Sequence, residues 1–132
     1  MTNEYLKRIS RYTQAEGVAL RDESALLQLC GRDSKSSRAK RSTLVLMDSR
    51  GKQFSSEEFA RFLGEYEERN PLPIIFAIGP ADGFSDATRS AAQLTFSLGA
   101  MTMAHELARV VLLEQVYRAF TILKGHPYHS AH

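Results

Sequence analysis

Thr43-Leu44-Val45-Leu46-Met47 is the stretch that decides the fold. It is a five-residue run with apolar side chains on both faces, bounded by Ser42 and by the turn-forming Ser49-Arg50-Gly51-Lys52. A short run of that kind is a strand buried on both sides, as in a parallel sheet. Working outward, Ile74 to Ile78 repeats the pattern and ends in a tight Gly79-Pro80-Ala81-Asp82-Gly83 loop. Leu94 to Leu98 is a third strand. Helices fall between them. Ser55 and Glu58 have capping-box spacing, followed by Phe59, Phe62, Leu63 and Tyr66 at helical spacing as far as Arg69, where Asn70 and Pro71 end the helix. Ser85 to Gln93 is a short helix, and His105 to Lys124 a long one, capped by Gly125 and stopped by Pro127. Its apolar stripe is Leu107, Val110, Val111, Val116, Tyr117, Phe120 and Leu123, and the Tyr117/Phe120/Leu123 face suits either core or a dimer interface. The order β-α-β-α-β-α makes an α/β fold: a parallel sheet with helices on both faces.

Before the first strand, Tyr5, Leu6, Ile9 and Tyr12 recur at helical spacing, which places a helix over Glu4 to Arg11. Gly17 breaks it. Val18 to Leu20 reads as a short strand, and Ser24 to Leu29 as a short helix closed by Gly31. The chain of 132 residues suits a single domain over 1–132. The lone Cys30 excludes an internal disulfide, and its Leu-rich setting reads as a buried small hydrophobe rather than a nucleophile. No window approaches the ~20 apolar residues of a bilayer span. The opening MTNEYLKRIS has no apolar core and is no signal peptide. The expected location is cytoplasmic, with no membrane partner.

Net charge is only +2, but Arg32, Lys35, Arg38, Lys40 and Arg41 crowd one Ser-rich segment against the single acid Asp33. That loop is either phosphate-contacting or simply solvated. In open α/β sheets, ligands bind beyond the carboxyl ends of the strands. Here those ends are Met47 to Gly51, Gly79 to Gly83 and Leu98 to Met103, three small-residue loops at one rim. The Gly79 loop is neither GxGxxG nor a phosphate-binding GxxxxGK[ST], so a plain turn and a close approach to ligand both fit it. His105-Glu106 is not HExxH, because position 109 is Arg. His126, His129 and His132 are spaced by three, but they follow no carboxylate or thiol, so no metal is expected. Glu114 and Arg118 are four apart on the last helix and suit a surface bridge, while Arg109 is in reach of a phosphate or carboxylate.

The IGPADGF loop, the segment FSLGAMTMAHELARVVLLEQVYRAF and the terminal KGHPYH resemble the RlmH family of SPOUT-class RNA methyltransferases. The likeness runs from about Thr43 to His129 and is densest from Ser97 onward. Glu4 to Ile9 also looks like the family's first helix. The resemblance implies a small homodimer with a C-terminal trefoil knot, which topology rules alone would not propose. It also implies methyl transfer from S-adenosylmethionine to N3 of a pseudouridine in 23S ribosomal RNA, in the ribosome.

Carried over by position, the cofactor-contacting residues are Met47, Gly79, Leu98, Gly99, Ala100, Met101, Thr102 and Met103, the same three rim loops. The family's tail lies beside the cofactor loop, which makes His129 or Tyr128 the first candidate for the base that removes the N3 proton, and His105 the second. Arg109, Arg118, Lys35, Arg38, Lys40 and Arg41 are the expected RNA contacts. The site is expected to be composite, with one subunit's tail completing its partner's pocket. Three departures stand out. Members usually open with an apolar strand, whereas this chain starts within the first helix, so the resemblance implies a sheet lacking the family's first strand. Pro80 replaces the second Gly of the usual IGGxxG and removes a backbone donor. Ala104 precedes His105 where Leu-Pro-His is common. The first and second departures motivate an alternative, a non-catalytic RNA- or ribosome-binding module of the same fold. A metal-binding protein using the C-terminal histidines is a third reading.

Overall fold

A computed structural model describes residues 2–30, 42–79, 83–99 and 104–126. The elements are α1 (Thr2–Ile9), α2 (Glu23–Leu29), β1 (Thr43–Gln53), α3 (Ser56–Arg69), β2 (Ile74–Ile78), α4 (Asp86–Ala91), β3 (Leu94–Ser97) and α5 (His105–Lys124). The strands form a parallel sheet in the order β2-β1-β3, as the alternation of strand and helix required. The chain divides into two compact units. One is built from Val18–Gln53 and Pro71–His105, the other from Met1–Gly17, Phe54–Asn70 and Glu106–His132.

The first unit holds the sheet. Leu44 and Leu46 of β1, with Ala77 and Ile75 of β2, pack on one face against Leu26, Leu27 and Cys30 at α2, with Phe84 and Ala92 beside them. Leu44, Leu46 and Cys30 are completely buried. Each such aliphatic side chain contributes about 2 kcal/mol relative to exposure. Val45 and Met47 point to the opposite face, where Phe76 and Phe96 meet edge to face, 6.4 Å between centroids. α2 begins where the Asp22 carboxylate accepts from the Ala25 N–H at 2.8 Å, and α4 where Ser85 Oγ accepts from the Thr88 N–H.

The strand expected to stop at Met47 continues to Gln53, so the turn expected at Ser49 to Lys52 is instead part of β1. The register explains both signals. β1 pairs β3 through Met47↔Phe96, then shifts and resumes at Lys52↔Phe96 and Gln53↔Ser97. Residues 48–51 are thus an irregular insertion within a strand. Gly51 lies so close to β3 that a Cβ there would stand 2.6 Å from the Thr95 carbonyl oxygen and 2.7 Å from Phe96 Cα. The strand expected over Val18 to Leu20 is also absent. That segment is irregular, with Val18 and Leu20 exposed, and a short run forms a strand only where a sheet edge accepts it.

The second unit contains α1, α3 and α5. The α3 capping box is complete: Ser55 Oγ accepts from the Glu58 N–H at 3.0 Å, and Glu58 Oε1 accepts from the Ser55 N–H at 2.8 Å. Ser56 Oγ donates to Gln115 Oε1 of α5 at 2.9 Å, and Leu123 of α5 sits against Gly64 of α3. α5 spans the expected range, but its buried residues are Ala108, Leu112, Val116, Ala119, Phe120 and Thr121. Of the expected stripe, Leu107 is 54% exposed and Leu123 36%. The helix is apolar nearly all round, so its sequence period does not select a face.

Candidate functional site

The sheet register gathers the expected rim. Met47 is paired with Ile78 on one side and Phe96 on the other. Gly79 follows Ile78 directly, and Leu98 and Gly99 follow the end of β3. Gly79 and the Leu98–Gly99 pair therefore stand past the carboxyl ends of β2 and β3, with Met47 the last β1 residue paired with β2, on the side of a parallel sheet where ligands bind. Ser97 shapes the third corner: its Oγ accepts from the Gly99 N–H at 3.0 Å and donates to the Gly99 carbonyl at 2.7 Å. Among the described residues, a Cβ added at Gly99 would meet nothing within 4 Å. His105, the first residue of α5, is exposed, and its Nε2 lies 3.4 Å from the Ile78 carbonyl oxygen, at the outer limit of a hydrogen bond. It stands beside the β2 corner of the same rim.

Sequence reading missed the residue that ties two of these corners together. Asp48, next to Met47, has a side chain only 1% exposed. Its Oδ1 accepts from the Arg50 N–H at 3.0 Å and from Arg50 Nε at 3.1 Å. Its Oδ2 accepts from Arg50 Nη2 at 2.9 Å and from the Phe84 N–H at 3.3 Å. Arg50 Nη2 also donates to the Phe84 carbonyl at 3.0 Å. The guanidinium hydrogen bonds hold the Asp48 carboxyl well below the usual carboxylate range. They outweigh burial, which acts the other way, and the Arg50 and Phe84 backbone N–H groups add to the effect. The signal available in sequence was an acid immediately after a buried strand with an arginine two residues on. A carboxylate at such a place is either paired or extruded.

The remaining expected residues are less gathered. Arg118 is held by Glu114, Nη2 to Oε2 at 2.8 Å, and Glu114 Oε1 accepts from Gln115 Nε2. Both charged side chains are less than one fifth exposed, so the pair is more enclosed than a surface bridge. The Arg109 guanidinium lies against Gly17, occupying the space a side chain there would need. Ala100, Met101, Thr102, Met103, Tyr128, His129, Lys35, Arg38, Lys40 and Arg41 lie outside the described residues. Among the described residues, no three or more His, Cys, Asp or Glu side chains are grouped to hold a metal ion. None of the described helices is long and apolar enough to cross a membrane.

A parallel α/β sheet with a backbone-lined rim at its carboxyl edge defines a class of nucleotide- and cofactor-binding folds. The family described as Predicted SPOUT methyltransferase matches residues 1–129. Ribosomal RNA large subunit methyltransferase H of Koribacter versatilis is 52% identical over 132 residues, covering 100% of this chain and 88% of that protein. The protein of the same name from Geotalea daltonii is 42% identical over 132 residues, with 96% and 86% covered. That from Rhizobium etli is 44% identical over 120 residues, with 91% and 70% covered. The chain belongs to the SPOUT methyltransferase family and is an enzyme of the RlmH type.

Proposed function

We propose that this chain methylates N3 of a pseudouridine in 23S ribosomal RNA, with S-adenosylmethionine as donor and the ribosome as partner. The observation that carries the reading is the register of Met47 between Ile78 and Phe96, with Gly79 and Leu98–Gly99 following those two strands, in a chain of this family. The rim fits such a cofactor. Apolar Met47 and Leu98 suit contact with an adenine ring, and Gly99, its backbone held by Ser97 Oγ, puts no side chain of its own in the way. When bound, S-adenosylmethionine supplies a methyl group activated on sulfur for in-line transfer. Ala100, Met101, Thr102 and Met103 complete the holding set on this reading.

The chain's own part is to align the acceptor nitrogen with the donor and to take up the N3 proton. Alignment at about 3–3.5 Å is the larger contribution. His129 or Tyr128 takes the proton, with His105 the second choice because it stands at the β2 corner. Lys35, Arg38, Lys40 and Arg41, with Arg109 and Arg118, contact RNA phosphates. The C-terminal trefoil knot, the homodimer with a composite site and the cytoplasmic location belong to the same reading.

The test is calorimetric titration of the purified chain with S-adenosylmethionine, followed by methylation of 23S RNA read by mass spectrometry of the target nucleoside. Binding and a single added methyl at N3 are expected. RNA binding without cofactor binding would replace the enzyme with a non-catalytic RNA-binding module. His129→Ala is expected to slow turnover about a hundredfold at unchanged cofactor affinity. Near-normal turnover would remove His129 as the base.

A further inference from the structure

We propose that Asp48 and Arg50 are positioning residues for the cofactor rim, setting the affinity for S-adenosylmethionine through Phe84 while touching no substrate themselves. The inference rests on the proposed function and extends it to residues outside the expected site. Three observations carry it. Both backbone polar groups of Phe84 are gripped: its N–H by the Asp48 carboxylate at 3.3 Å and its carbonyl by the Arg50 guanidinium at 3.0 Å. The Phe84 ring is 6% exposed and lies directly on Gly79, where an added Cβ would stand 2.7 Å from the ring. Asp48 adjoins Met47, whose backbone is fixed between β2 and β3.

One ion pair thus locks the distance between two cofactor corners. Asp48 anchors the network at the Met47 corner, and Phe84 transmits it to Gly79. Two-point capture of a single residue's N–H and C=O fixes its orientation as well as its position. A neutral or monodentate substitute loses that, because only the planar guanidinium fork engages carboxylate and carbonyl together. The pairing also explains the irregular insertion at residues 48–51. A regular strand would carry Asp48 and Arg50 on the same face of the sheet without turning them back toward Phe84.

The test compares the wild-type chain with Asp48→Asn and Arg50→Lys. Three quantities are read at a temperature where circular dichroism shows every protein folded: S-adenosylmethionine affinity by calorimetry, amide hydrogen exchange at Phe84 without ligand, and the KM and kcat of methylation. Both variants are expected to bind S-adenosylmethionine about tenfold to a hundredfold more weakly, the range for losing hydrogen bonds to a charged group. Phe84 exchange should quicken, and KM for the cofactor should rise with kcat at saturation nearly unchanged. Arg50→Lys, at a half-exposed side chain, keeps the charge and serves if Asp48→Asn does not fold. Wild-type affinity and exchange in a folded Arg50→Lys would overturn the inference, whatever its melting temperature. A wild-type chain that does not bind S-adenosylmethionine would instead overturn the functional reading, and faster Phe84 exchange in Arg50→Lys would still support the clamp.

Discussion

The irregular middle of β1 and the carboxyl end of α5 each fix a segment that leaves a regular element, and they do so with opposite chemistry. At β1 the agent is charge. A buried carboxylate and a guanidinium hold the backbone of Phe84, which is distant in sequence. At α5 the agents are the backbone and aromatic rings. The Gly125 N–H donates to the Ile122 carbonyl at 3.2 Å and the His126 N–H to the Thr121 carbonyl at 2.8 Å, with Gly125 at φ +71. This is the Schellman arrangement. Tyr12 then stacks on Phe120 at 5.4 Å, and its hydroxyl oxygen lies 2.5 Å from His126 Nδ1. Both devices join residues distant in sequence, Asp48 and Arg50 to Phe84 and Tyr12 to Phe120 and His126. The first responds to acid and the second to alkali. The rim is tied by a charged pair gripping backbone, whereas the helix end changes direction through its own backbone bonds and is only covered by rings.

The comparison breaks most severely at Arg50. Arg50→Met leaves the Asp48 carboxylate enclosed without its guanidinium and should cost about 3 kcal/mol, read from urea unfolding. A loss below a few tenths would mean that the backbone donors alone satisfy the carboxylate. Because the Asp48 carboxyl titrates lower in the folded protein than in the unfolded chain, the native state binds fewer protons in that range. The clamp's stabilisation is therefore fully present above about pH 4, the ordinary carboxylate value, and is lost as pH falls below it. Urea midpoints of wild type and Arg50→Met should accordingly draw together as pH falls below about 4; parallel curves would contradict the assignment.

Gly51→Ala tests the bulge itself. Its Cβ would collide with backbone rather than a mobile side chain, so a loss of about 2 kcal/mol is expected from the same unfolding measurement. Gly125→Ala at the helix end meets no atom of the described residues within 4 Å and suffers the left-handed backbone, about 1 kcal/mol. Tyr12→Phe should be mildest, about 0.5–1 kcal/mol for one partly exposed hydrogen bond. Partial burial, with Tyr117 adding to it against Arg11, raises the Tyr12 hydroxyl above its ordinary value of 10.0. Its contribution is therefore present below pH 10.0 and lost as pH rises beyond it, so Tyr12→Phe and wild type should converge in alkali. Convergence in acid instead would assign the pH response to another group.

Much of the layout was legible because local signals agreed. The capping box at Ser55 and Glu58, the apolar runs of β1 and β2, and Gly125 after α5 each have a mechanism within a few residues. The errors share a cause. Gly51 looks like a turn glycine in sequence, but its smallness serves a close approach by β3, more than forty residues on in the chain. Leu107 and Val116 look equivalent on an apolar helix, yet one is exposed and the other buried. Asp48 carries no local motif in sequence and is the centre of the clamp.

The sequence by itself determined the alternation of strands and helices and the family, because each rests on short-range periodicity or on motif identity. Only the tertiary structure decided which face of α5 is buried, why β1 runs on past Met47, and that Asp48 and Arg50 reach Phe84. Those depend on contacts between residues far apart in the chain, where steric room and the burial of charge select one arrangement from several that the local sequence allows equally.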